Sequence, residues 1–162
     1  MIFMRFNKYN LIEAIKNNDT NQINFILKNG KANINSKDKD GWTALIWASC
    51  KGDLETVKLL IDNGADINAK DNEGWSVLME ASYEGHLEVV QYLVENGANI
   101  NDKDNDGWTA LMRASWRGYL EIVKYLIEIG VDINIKNDKG ETALDLADTE
   151  EIKEILRKAG DK

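Results

Sequence analysis

The chain has 162 residues, 43% apolar and 30% charged, which fits one ordinary globular domain and excludes a wholly disordered segment. Its single cysteine and single histidine exclude an intramolecular disulfide and any zinc site needing several Cys or His ligands, and they suit a reducing, cytoplasmic location. Twenty basic against 28 acidic side chains leave a net charge of -8, which disfavours nucleic acid and anionic membrane as partners.

The opening, Met1-Ile2-Phe3-Met4-Arg5-Phe6-Asn7-Lys8-Tyr9, is apolar but brief. Arg5 and Lys8 interrupt it and no small-residue cleavage site follows, so no signal peptide is expected. Nowhere does an apolar run approach the roughly 20 residues that cross a bilayer. Proline is absent, which leaves glycine, Asn and Asp to break the chain. Leu11, Ile12, Ala14 and Ile15, then Ile23, Phe25, Ile26 and Leu27, form a degenerate first unit over 8–37 that closes at Gly30, with one extra residue near Lys31.

From there the sequence repeats itself. Gly41, Gly74, Gly107 and Gly140 each stand 33 residues from the last. Thr43, Ser76, Thr109 and Thr142 keep the same step, as do Leu45, Leu78, Leu111 and Leu144, and Ala48, Ala81, Ala114 and Ala147. Each Thr or Ser is placed to cap a helix, because its hydroxyl can accept from a free backbone N–H of the first turn. Leu45 and Ala48 then share one face of that helix, which ends at Gly52. Leu54, Val57, Leu60 and Ile61 trace the apolar stripe of a second helix, stopped at Gly64. An Asn- and Asp-rich loop turns back to the next unit. Full units are expected at 38–70, 71–103 and 104–136. Leu144, Leu146, Ala147, Ile152, Ile155 and Leu156 form a shortened last unit over 137–160, whose second helix arrives about four residues early. Its polar outer residues Lys153, Glu154, Arg157 and Lys158 suit a terminal cap. One such helix pair cannot bury its own apolar face. A stack can, so the fold class is all-α: about five helix–turn–helix units including the caps, in a single solenoid domain over 1–162 with no room for a second.

These units closely resemble ankyrin repeats. The resemblance rests on the 33-residue period and on motifs such as Asp71-Asn72-Glu73-Gly74-Trp75-Ser76-Val77-Leu78 and Gly64-Ala65-Asp66-Ile67-Asn68. It implies helix pairs joined by β-hairpin-like loops. The family's Pro after the Thr is here Ala44, Val77, Ala110 and Ala143, and its His after the Leu is Ile46, Met79, Met112 and Asp145. In the family that His bridges neighbouring loops, so such bonds must be made differently here or not at all. The resemblance also points to Asn68, Asn101 and Asn134 as acceptors for an asparaginyl hydroxylase, against the plainer expectation that they hydrogen-bond the loops.

Little in the sequence carries chemistry. Asp102-Lys103-Asp104-Asn105-Asp106-Gly107 imitates the start of a calcium loop, but the twelfth position, which should be a bidentate Glu, is Arg113. His86 has no nucleophile beside it in any recognisable motif and reads as a structural or surface histidine. Cys50 adjoins Lys51, which could lower its pKa, though a small residue on an exposed helix end is the simpler reading. Gly-rich phosphate loops are missing. No enzyme, cofactor or metal is expected.

The resemblance places the first helix and preceding turn of each unit on the concave side of the stack. With Leu45, Ala48 and Ser49 facing the core, 100° per residue puts residues 47 and 50 on the opposite side, beside residue 42. Stepping by 33 gives Trp42, Trp47 and Cys50; Trp75, Glu80 and Tyr83; and Trp108, Arg113 and Trp116. All five tryptophans fall on this one surface. Trp42, Trp75 and Trp108 could form a structural ladder, a contact surface, or both. Aromatic residues with Arg dominate binding hot spots, so an unidentified protein partner is expected there, with a monomer in its absence. The alternatives are a self-associating structural protein with the aromatics in a homo-oligomer interface, and a small-ligand binder, for which no polar pocket argues.

Overall fold

The computed structural model describes residues 10–30 and 32–162. The apolar opening before Asn10 and the extra residue expected near Lys31 lie outside the described residues. Ten helices run among those described, in five pairs: α1 (Leu11–Lys16) with α2 (Thr20–Lys28), α3 (Ala44–Lys51) with α4 (Leu54–Asp62), and α5 (Val77–Glu84) with α6 (Leu87–Glu95). Then follow α7 (Ala110–Arg117) with α8 (Leu120–Glu128), and α9 (Ala143–Leu146) with α10 (Glu150–Gly160). Among the described residues no strand forms, and one isolated antiparallel bridge joins Lys70 and Ser76. The first helices pack in the series α1, α3, α5, α7, α9, while α4, α6, α8 and α10 make a second layer.

The caps form where the hydroxyls stand. Thr43 accepts from the Ile46 amide and Ser76 from that of Met79, each at 3.2 Å. Thr109 and Thr142 do the same for α7 and α9, and Asp145 returns a bond to the Thr142 amide at 2.8 Å. Each cap is worth about 1 kcal/mol. Behind it the repeated core positions close up: Leu45, Ala48, Val57 and Leu60, with their counterparts in the next two units, are buried, as are Ile46, Met79 and Met112, while Leu144 in the last unit is only half-buried. A fully buried Leu contributes about 1.5–3 kcal/mol, and Leu78→Ala would cost about 2–5 kcal/mol because neighbouring units cannot collapse into the gap.

Gly52 ends α3 in the left-handed conformation at φ 72°. A Cβ there would collide with the His86 imidazole of the next unit. His86 Nε2 donates to the Cys50 carbonyl at 2.8 Å, so this histidine is an inter-unit tie. The Tyr119 ring lies over Gly85 in the same manner. Lys51 reaches the other way, donating to the carbonyls of Ile15 and Lys16 and to Asn18 Oδ1.

The loops are bridged without the family's histidine. Asn72 N–H donates to the Asp40 carbonyl, Asn105 to Glu73 and Asp138 to Asp106, at 3.0–3.1 Å. At the other loop end Asn35 Oδ1 accepts from Asp66 N–H, Asn68 from Asn99 and Asn101 from Asp132, each at 2.8 Å. Two expectations shift. Phe25 is 47% exposed, turned away from the core that Ile23 enters. The last second helix, α10, starts 30 residues after α8, which is three early, because α9 is cut to four residues.

Candidate partner-binding face

An aspartate organises each turn that carries a tryptophan. Asp71 Oδ1 accepts from the amides of Glu73 and Trp75, both at 2.9 Å, and Asp104 Oδ1 accepts from Asp106 and Trp108 at the same distance. Asp38 does the same for Asp40 and Trp42. An Asx turn of this kind fixes the Trp backbone, and leaves Oδ2 facing the first helix of its own unit.

What meets that second oxygen differs from unit to unit. Nine residues on, Trp47 Nε1 donates to Asp38 Oδ2 at 2.9 Å. At the equivalent place Arg113 donates a guanidinium N–H to Asp104 Oδ2 and forms an ion pair buried on both sides. Between them, in the middle unit, stands Glu80, which when ionised has nothing to donate. Burial first, then the carboxylates of Asp71, Glu84 and Glu73, push Glu80 up to about 7, against the opposing charge of Arg113. Burial would likewise raise Asp38, but the Trp47 indole, the Trp42 and Asp40 amides and the Lys16 charge bring it below the ordinary carboxylate value.

The rings join into two clusters. Trp42 and Trp47 meet at 4.7 Å between centroids, with Lys16 Nζ 4.6 Å from the Trp47 ring. Trp75 meets Tyr83 edge-on at 5.3 Å, Tyr83 stacks on Trp116 at 6.1 Å, and Trp116 meets Trp108 edge-on at 6.2 Å. The Arg113 guanidinium lies between two rings of this second cluster, 3.7 Å from the Trp75 centroid and 4.4 Å from that of Trp108. Arg117 covers Tyr83 at 4.5 Å. Between the clusters opens a cleft of about 380 Å³ lined by Asp40, Trp42, Trp47, Asp71, Asn72, Glu73, Trp75 and Glu80.

The nine residues singled out from the sequence are thus placed in three ways. Trp42, Trp47, Cys50, Trp75, Tyr83 and Trp108 are half-buried, and Trp116 is 47% exposed. Glu80 and Arg113 are buried, 5% and 9% exposed: Glu80 lines the cleft and Arg113 lies between Trp75 and Trp108. Sequence reasoning met Asp71 only as part of the repeat motif and Asp104 only as part of a calcium-like run, and placed neither on this face. Their signal was a row of acids at the 33-residue step, nine positions before Trp47, Glu80 and Arg113.

Cys50 is half-buried on this face, contrary to the exposed helix end expected of it. Burial, followed by Glu80 and Glu84, pushes its thiol up to about 11, and Lys51 offsets this only in part. Its sulfur and one carboxylate oxygen each from Glu80 and Glu84 lie within 4.8 Å of one another. The trio offers three donors, one fewer than a structural zinc site uses. The calcium-like run is also committed elsewhere: Asp104 holds Arg113, and Asp102 meets Lys70 at 3.3 Å.

A family model of ankyrin repeats matches this chain in three copies, over residues 11–104, 71–137 and 102–160. Among curated proteins, a 47-residue stretch is 49% identical to part of a Dictyostelium discoideum protein named "Acyl-CoA-binding domain-containing protein 6 homolog". That match covers 29% of this chain and 16% of the Dictyostelium protein. Among the described residues no helix is long and apolar enough to cross a membrane.

Proposed function

Because the chain belongs to the ankyrin-repeat family, whose members mediate protein–protein interaction, we propose that it is a non-catalytic module binding a partner protein through its concave face of turn tips and first helices. The observation that carries this reading is the aromatic surface itself. Five tryptophans and Tyr83 line one side of the molecule, interleaved with Lys16, Arg113 and Arg117. Exposed aromatic area is costly to keep in water unless something covers it. Rigid rings set in a polar rim are also what binding hot spots are made of. The chain is a cytoplasmic, single-domain array in this reading, with units at 8–37, 38–70, 71–103, 104–136 and 137–160.

The test compares faces. Partner captured by the tagged protein is titrated against Trp116→Ala and Tyr83→Ala, and against the second-helix changes Lys58→Glu and Glu95→Lys. Loss of about thirtyfold in affinity is expected for the first pair and none for the second. Normal binding by Trp116→Ala and Tyr83→Ala, with loss on the second helices, would overturn the assignment. The exposed Trp116 also suits self-association, and light scattering of the free protein decides it: a dimer abolished by Trp116→Ala would replace the hetero-partner reading.

A further inference from the structure

The grooves on either side of Trp75 are built to one pattern, and the molecule fills one of them itself. Between Trp75 and Trp108 a guanidinium is stacked on both rings, with its N–H donated to the turn aspartate Asp104. One step of 33 residues earlier, Trp42 and Trp75 are the corresponding rings, Asp71 the corresponding aspartate, and Glu80 stands where Arg113 would be. We propose that this cleft receives an arginine side chain from a basic partner segment, held between Trp42 and Trp75 and paired with Asp71 and Glu80. The proposal rests on the concave-face reading and names the chemistry of the partner.

Three observations carry it. Glu80 is buried to 95%, lines the cleft, and has no hydrogen-bond donor among the described residues. A carboxylate that reaches water only through a narrow cleft and accepts no protein donor is poorly solvated, a cost that an entering cation would relieve. Asp71 Oδ2 also has no donor among the described residues, whereas the same atom of Asp38 and of Asp104 has one. Finally, among the described residues the cleft wall carries four carboxylates, three indoles and no cation. Such a wall selects a positive group, and the net charge of -8 would draw a basic segment towards it. Guanidinium is favoured over ammonium because it is flat, stacks on rings and presents a fork of N–H groups to paired carboxylates.

The test uses the full chain, labelled with nitrogen-15, and a capped Gly-Arg-Gly peptide as probe. The indole N–H resonances of Trp42 and Trp75 should shift saturably. Peptides with citrulline or lysine in place of arginine should bind about tenfold or more weaker. Glu80→Arg should fill the cleft from within, abolish the shift and leave the melting temperature no lower than wild type. Glu80→Gln, which keeps the shape, should weaken binding about threefold or more. Equal binding of the citrulline or lysine peptide, binding retained by Glu80→Arg or Glu80→Gln, or no saturable shift would each overturn the proposal. If Tyr83→Ala and Trp116→Ala abolish partner capture while Glu80→Arg leaves both capture and peptide binding intact, the arginine site falls and the face reading stands. If the peptide binds as expected but Lys58→Glu and Glu95→Lys abolish partner capture, the face reading alone falls.

Discussion

The groove between Trp75 and Trp108 and the groove between Trp42 and Trp75 share a wall, a turn geometry and a register, yet one is closed and the other open. In the closed groove Arg113 satisfies Asp104 and stacks on two indoles. In the open groove Glu80 faces Asp71 and is pushed up to about 7 by burial and by its acidic neighbours. The backbone is indifferent to this difference, because Thr and Ser caps, core leucines and the Asn bridges repeat through both. A single position per unit therefore decides whether a groove contributes to stability or stands ready for a ligand.

The comparison can be broken at several points. Arg113→Ala should have the largest effect, lowering unfolding free energy by about 4 kcal/mol, since it strands the buried Asp104 carboxylate and uncovers two rings. Denaturant titration measures it, and a loss below about 1 kcal/mol would show that the ion pair does not hold the closed groove. Trp75→Ala removes the wall common to both grooves and should cost about 3 kcal/mol by the same measurement. An effect near zero would mean that the rings cover nothing structural.

Glu80→Gln should act in the opposite direction. A carboxyl raised to about 7 from an ordinary value near 4.5 keeps its proton in the folded state over that interval. Stability therefore falls as pH rises from about 4.5 to 7 and is flat above. Gln carries no such penalty, so the variant should be more stable than wild type by about 2 kcal/mol at pH 8, with the gain vanishing towards pH 4. The groups facing this site are Asp71, Glu84, Glu73, Cys50 and Arg113. Melting curves across pH check it, and a pH-independent gain would assign the effect to something other than ionisation. The smallest effect belongs to Trp116→Ala, about 0.5 kcal/mol in stability despite the size of the side chain, because it is 47% exposed.

Much of the fold was legible because its signals are local. A hydroxyl three residues before the amide it caps, or a glycine at a helix end, says the same thing in every unit. Asp145 was also visible as a departure from the family's histidine, though its reciprocal bond to Thr142 was not. The placement of residues 42, 47 and 50 on one side followed from helical geometry. Their roles did not, because those depend on what the neighbouring unit brings. Arg113 and Trp116 look alike as large side chains on a helix, yet one is walled in between Trp75 and Trp108 and the other is 47% exposed at the edge of the ring cluster. His86 reads from the sequence as structural or surface, and its bond to the Cys50 carbonyl, 36 residues earlier, could not be seen from its own unit. Burial of Cys50 was hidden for the same reason.

The 33-residue stacking of the loops has a consequence for how such a chain can change over generations. Every bridge joins a unit only to its neighbour, as Asn72 joins Asp40 and Asn105 joins Glu73. Unequal crossing-over that duplicates one unit in the gene would thus insert a complete new groove, with walls, turn aspartate and caps already in place. The copy would then need a single codon change, at the position of Trp47, Glu80 and Arg113, to become plugged, vacant or self-bonded. Ligand specificity in an array of this design can be rewritten one groove at a time while the rest of the molecule is inherited unaltered.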